Sequence, residues 1–101
     1  MNTYFPFVKE ALTYDDVLLV PQISNIKSRK EIDLSTNLCS NVHLTLPVIS
    51  SPMDTVSESD MATAMHNHGG LGVIHRYNTI EKQTELVRTV LENNPKAQVA
   101  A

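Results

Sequence analysis

Residues 46–76 read LPVISSPMDTVSESDMATAMHNHGGLGVIHR, and this stretch decides the fold. Two short apolar runs, Pro47–Ile49 and Leu71–Ile74, stop abruptly at polar residues. The first gives way to Ser50-Ser51-Pro52-Met53-Asp54 and the second to His75-Arg76. The segment between them has helical periodicity and is closed by Gly69-Gly70. This is the outline of a β-α-β unit whose two strands both end in hydrogen-bonding side chains. Parallel α/β folds hold their ligands beyond the carboxyl ends of the strands. The polar tips are therefore candidate site residues, and the apolar bodies are candidate core.

Working outward, strand-like runs begin near residues 47, 71 and 97, a repeat of about 25 residues. Such a repeat suits a (β/α)8 TIM barrel, which needs roughly 250 residues to close. The fold class expected is therefore α/β: the first strands and helices of a barrel, incomplete in this chain, with Ala97–Ala101 as a third strand that lacks its helix. Residues 1–101 then read as the N-terminal part of one catalytic domain. The first helix is expected to start at Ser57, with Glu58 and Asp60 in its first turn and Met61, Ala64, Met65 and His68 on its inner face. Gly69 suits the left-handed position after it. A second helix should follow Thr79, carry Ile80, Val87, Val90 and Leu91 inward, pair Glu85 with Arg88 outside, and end at Asn93-Asn94-Pro95.

Upstream, residues 1–12 suit a short helical arm anchored by Phe5-Pro6-Phe7, and Thr13-Tyr14-Asp15-Asp16 is a turn or cap signal. Pro21 ends the apolar run Val17–Val20, and residues 22–31 read as an exposed loop. Glu31–Thr36 and Asn41–Leu46 alternate polar and apolar side chains, as half-buried strands do.

Composition narrows the classes. Of the 101 residues 42% are hydrophobic and 19% charged, an ordinary globular balance. A net charge of −3 gives no electrostatic reason to expect nucleic acid as a partner. No apolar run approaches the roughly 20 residues of a membrane span, so no membrane association is expected, and the N-terminus has no signal-peptide pattern. Cys39 stands alone, which excludes an internal disulfide and fits a reducing cytoplasm.

The chemistry-bearing candidates each have an ordinary counterpart. The Ser50–Thr55 loop could offer hydroxyls and, through Met53, an adaptable apolar surface to a planar ring; equally, it is a β-α loop in which Asp54 and Thr55 satisfy local backbone groups. His75-Arg76 could aim one side chain at a site, or be a satisfied histidine beside a surface arginine. His66 and His68, two apart on a helix, point about 200° away from each other and cannot share an ion, so no metal site is expected. Gly69-Gly70-Leu71-Gly72 precedes a strand rather than a helix, unlike a phosphate loop. Cys39 has no adjacent base in sequence and reads as a small hydrophobe.

Longer motifs add a resemblance. Leu12-Thr13-Tyr14-Asp15-Asp16-Val17-Leu18-Leu19-Val20-Pro21, Glu31–Thr36, Leu46–Val56 and Gly69–Arg76 resemble the N-terminal part of the IMP dehydrogenase / GMP reductase family. The resemblance implies a TIM barrel, usually a homotetramer, that binds a purine nucleotide and a nicotinamide cofactor. Dehydrogenases of this kind oxidise IMP to XMP with NAD through a cysteine adduct, many with potassium bound elsewhere in the barrel. Reductases convert GMP to IMP with NADPH. On the matching positions, Ser51 and Met53 fall where the family contacts nucleotide, and Asp54 lies beside them as a loop-ordering residue. Arg76 falls where reductases carry a lysine near the reacting amino group and many dehydrogenases carry another polar residue, and is the candidate catalytic residue. Ser28 and Arg29 lie in a loop that can approach the dinucleotide. The nucleophilic cysteine belongs further along the barrel, and Cys39 does not match it. Regulatory CBS domains, inserted after the second helix in most dehydrogenases, are not expected, because Glu92-Asn93-Asn94-Pro95 leads straight into the third strand. The Ser-Pro-Met-Asp-Thr and Gly-Gly-Leu-Gly-Val-Ile-His runs look more like a dehydrogenase; the Lys27-Ser28-Arg29 stretch and the missing insert look more like a reductase. A third reading makes the chain a non-catalytic binding or assembly module.

Overall fold

The computed structural model describes residues 9–101. The expected N-terminal arm lies, through residue 8, outside the described residues, and residues 9–12 carry no regular structure. The chain divides into two units after Glu31. In the first, Tyr14–Asp16 form a 3-10 turn, as the Thr13–Asp16 signal predicts. The Asp16 carboxylate accepts from the Thr13 N–H at 2.8 Å and the Thr13 hydroxyl at 3.0 Å. These bonds hold its carboxyl below the usual carboxylate range. Residues 22–31 are exposed, as expected, and contain a second 3-10 turn, Arg29–Glu31.

The second unit opens with an antiparallel hairpin, β1 (Thr36–Cys39) and β2 (Val42–Leu44), with Asn37 opposite His43 and a bulge between Asn37 and Cys39. The alternation over Glu31–Thr36 does not make a strand there. Asp33 Oδ1 accepts from the Ser35 N–H at 2.9 Å, so the side chain bends the backbone and pairing starts only at Thr36. That bond also holds the Asp33 carboxyl below its usual range.

Next come α1 (Ser59–Asn67), β3 (Gly72–Val73), α2 (Ile80–Asn93) and β4 (Val99–Ala100). Ile49 bridges Leu71 in parallel, and β3 pairs with β4 in parallel, so two successive strand–helix crossovers are present. The first strand is short for a local reason. Leu71 N–H donates to the Val48 carbonyl at 3.0 Å and Ser50 N–H to the Leu71 carbonyl at 2.9 Å. The Val73 N–H then meets the Ser50 hydroxyl oxygen at 2.9 Å instead of a carbonyl. The chain leaves the sheet at Ser50, and its side chain completes the ladder.

Helix α1 starts two residues later than expected, at Ser59, because the Ser57 hydroxyl is engaged by the Ser51 carbonyl instead of capping. Its buried residue is Ala62; Met61 and Met65 are half-buried, and Ala64 and His68 are exposed, which corrects the expected inner face. Gly72 explains the rotation. A Cβ placed there would lie 2.4 Å from Ala62 Cα and 2.6 Å from its Cβ, so helix and strand meet at a contact only glycine permits. The helix ends as the Gly69-Gly70 pair predicts. Gly69 has φ +85°, its N–H donates to the His66 carbonyl and the Gly70 N–H to that of Met65, both at 2.9 Å. This double bond pattern is a Schellman cap.

Helix α2 begins after Thr79, whose hydroxyl accepts from the Lys82 N–H at 3.2 Å, and ends at Asn93, as expected. Its inward residues are Leu86 and Val90, with Val87 at the margin, whereas Ile80 is 82% exposed and Leu91 39%. At about 100° per residue, Ile80 lies roughly 120° and Leu91 roughly 140° around the helix from Leu86, off the stripe that faces the sheet. Glu85 pairs with Lys82 at 3.1 Å, not with Arg88. Ala62, Ile74, Leu86 and Val90 form one core, so both helices cover the same face of the parallel strands.

Candidate functional site

The Ser50–Ser57 loop and the tip of β3 come together at the carboxyl ends of the first two parallel strands. Backbone bonds fold the loop tightly. The Ser51 carbonyl accepts from the Met53 N–H at 2.8 Å and from the Ser57 hydroxyl. The Met53 carbonyl accepts from the N–H groups of Val56 at 3.3 Å and Ser57 at 2.9 Å. Between these anchors Thr55 has φ 62°, a left-handed conformation that a β-branched residue rarely adopts. Such a residue costs on the order of 1–3 kcal/mol and persists only where its surroundings over-determine it, as at ligand sites. Sequence reasoning did not single out Thr55 in this way, because nothing in the residue type announces a positive φ.

Ser51, Met53 and Asp54 are all exposed on this loop. Of the serine pair, Ser50 has its oxygen engaged by the Val73 N–H, whereas Ser51 is exposed and holds the loop through its carbonyl, its hydroxyl making no hydrogen bond among the described residues. Among the described residues the Asp54 carboxylate makes no hydrogen bond, and the carbonyls of Ser51 and Met53 hold the loop.

His75 and Arg76 separate. His75 is 3% exposed, and its Nε2 lies 3.1 Å from Glu58 Oε1, at the start of α1. Its Nδ1 accepts from the Tyr77 N–H at 3.2 Å, which assigns the ring proton to Nε2. The satisfied-histidine reading therefore holds for His75. Arg76 is exposed; its guanidinium carbon sits 5.7 Å from the centre of the Tyr77 ring, and it makes no ion pair among the described residues. It lines a shallow concavity with Asn78, Thr79 and Gln83 at the start of α2.

The remaining candidates lie elsewhere. In the first unit, Ser28 is engaged within its own turn, its carbonyl accepting from Glu31 N–H at 3.1 Å and its hydroxyl from Lys30 N–H at 3.3 Å, while Arg29 is exposed. Cys39 is an exposed free thiol on the hairpin. His66 accepts from the Gln98 N–H at 3.3 Å, and His68 Nδ1 lies 2.8 Å from the Ala64 carbonyl, so each has a structural partner. Among the described residues no group of three His, Cys, Asp or Glu side chains gathers to hold a metal ion, and no helix is long and apolar enough to cross a membrane.

Fold and site together define an α/β chain with a strained, polar-tipped loop at the carboxyl ends of parallel strands. The profile of the IMP dehydrogenase / GMP reductase domain matches residues 11–100. A GMP reductase of Leishmania donovani is 49% identical over 85 residues, 84% of this chain and 17% of that protein. An inosine-5'-monophosphate dehydrogenase of Staphylococcus aureus (strain Mu50 / ATCC 700699) is 54% identical over 84 residues, 83% of this chain and again 17% of the relative. The crystal structure of GMP reductase from Trypanosoma brucei in complex with guanosine 5'-triphosphate superposes with a TM-score of 0.75 at 48% identity, covering 81% of this chain and 19% of that one. The chain belongs to the IMP dehydrogenase / GMP reductase family and spans about a sixth of the length of these curated relatives.

Proposed function

We propose that this chain is the N-terminal part of one (β/α)8 catalytic domain, and that its Ser50–Ser57 loop and Arg76 form one wall of a purine nucleotide site. Two parallel crossovers with both helices on one face support the barrel, since a doubly wound sheet would carry helices on both faces. Ser51 and the Met53 side chain are open for a nucleotide, the one as hydrogen-bond donor and the other as a surface for the base.

The reaction we assign to the full-length enzyme is oxidation of IMP to XMP with NAD. The observation that carries it is Arg76. A guanidinium stays protonated, so it holds an anion or a polar edge but cannot cycle a proton to a leaving amine as a lysine can. That favours dehydrogenation over the reductive release of ammonia from GMP. The exposed Arg29 suits the dinucleotide by charge, and NAD, when bound, accepts the hydride. The nucleophilic cysteine, potassium and tetramer contacts fall to other parts of the protein, and the 101-residue chain alone is expected to be inactive. GMP reductase with NADPH is the second reading. It is favoured by the direct passage from α2 to β4, in which Asn94 turns the chain by accepting from the N–H groups of Lys96 at 3.1 Å and Ala97 at 2.9 Å with no inserted segment between the two elements. Assaying the full-length enzyme with IMP and NAD, and separately with GMP and NADPH, decides between them. XMP formation is the expected result, and turnover confined to the GMP pair overturns the assignment.

A further inference from the structure

Glu58 has no part in the site as described, yet its side chain bonds the strand tip from the position next to the loop, beside the backbone bond between His75 and Ser57. Its carboxylate receives the Nε2–H of the buried His75, whose other ring nitrogen, Nδ1, accepts from the Tyr77 N–H. The backbone beside this clasp is tied on both sides. His75 N–H donates to the Ser57 carbonyl at 3.2 Å, while the His75 carbonyl accepts from Asn78 Nδ2 at 3.0 Å. Asn78 Nδ2 also reaches Gln83 Oε1 at 2.8 Å, which carries the chain of bonds to α2. Ser57 in turn holds the Ser51 carbonyl through its hydroxyl. An unbroken series of hydrogen bonds therefore runs from the loop that bears Ser51 and Met53, through Ser57 and His75, to the strand tip that bears Arg76.

We propose that Glu58 and His75 are positioning residues that lock the Ser50–Ser57 loop to the tip of β3, so that nucleotide meets both halves of its site as one rigid wall. The inference rests on the assignment of that loop to nucleotide binding. A strained loop with Thr55 at positive φ needs such an external hold, because its own bonds must keep a conformation its sequence disfavours. Glu58 is 45% exposed, so it can be replaced without opening the core, whereas His75 cannot.

The test is made on the full-length enzyme with Glu58→Ala and Glu58→Gln, reading the nucleotide KM, kcat and amide hydrogen exchange over residues 51–57. Glu58→Ala is expected to raise the nucleotide KM about fivefold or more, to leave kcat within about threefold, and to speed exchange in the loop while α2 keeps its protection. Glu58→Gln retains an oxygen for the Nε2–H and should restore both readouts. A nucleotide KM within about twofold of wild type in Glu58→Ala overturns the proposal, as does Glu58→Gln behaving like Glu58→Ala. Failure of the underlying site assignment has a different signature. If Ser51→Ala binds nucleotide normally while Glu58→Ala still loosens the loop, the clasp is only a structural tie, and its role in binding is overturned.

Discussion

At the tip of β3, two adjacent side chains take opposite fates. His75 turns inward to Glu58 and is spent on structure, while Arg76 turns outward and rests on Tyr77. An exposed cation–π contact contributes about 0.5–1 kcal/mol, so Arg76→Met in the full-length enzyme should cost at most about that much stability. If the guanidinium reaches nucleotide, turnover should fall tenfold or more, about 1.4 kcal/mol in the barrier. Paired kinetics and thermal melts check this, and wild-type turnover in the variant would remove Arg76 from the site. The division between the two residues was legible in outline, because a strand sends neighbours to opposite sides. Which of the two went inward was not, since that depends on a glutamate 17 positions upstream in sequence.

The elements show where pattern reading succeeds and where it stops. Three of the four helix ends were legible because their signals are local: Thr79 caps α2, Asn94 follows its last turn and Gly69 takes the left-handed turn after α1, whereas α1 starts at Ser59 and not at Ser57, whose hydroxyl bonds the Ser51 carbonyl. Helix rotation was not, because it is set by the partner surface. Methionines at helical spacing pointed to one face of α1, but Gly72 lets Ala62 approach the strand and turns another face inward. The same contact predicts that Gly72→Ala will destabilise the full-length enzyme. The added methyl would overlap Ala62 backbone and side chain, which cannot rotate away, so overpacking should cost about 1–3 kcal/mol or more. A denaturation midpoint equal to wild type would contradict that packing. The short strand at residues 47–49 and the unstranded Glu31–Ser35 alternation have a shared cause: side-chain oxygens of Ser50 and Asp33 take backbone N–H groups that a sheet would otherwise use.

On the scale of the whole molecule, this chain is proposed to hold one wall of a site. The parallel strands leave Val48 and Ile49 nearly half exposed, and the loop that carries Ser51, Met53 and the strained Thr55 stands open beside them. The family was legible because its motifs are long and ordered, and two of them, Leu46–Val56 and Gly69–Arg76, run through these strand tips. The reaction was less legible, since relatives bearing both names align to the same stretch. The central claim is that this loop binds purine nucleotide, and direct measurement of IMP affinity in the full-length enzyme and its Ser51→Ala variant tests it. Losing the hydroxyl's bond to the nucleotide should cost roughly 1–3 kcal/mol, a weakening of about five- to 150-fold, with the melting temperature unchanged because Ser51 holds the loop through its carbonyl. Wild-type affinity in Ser51→Ala would contradict the account.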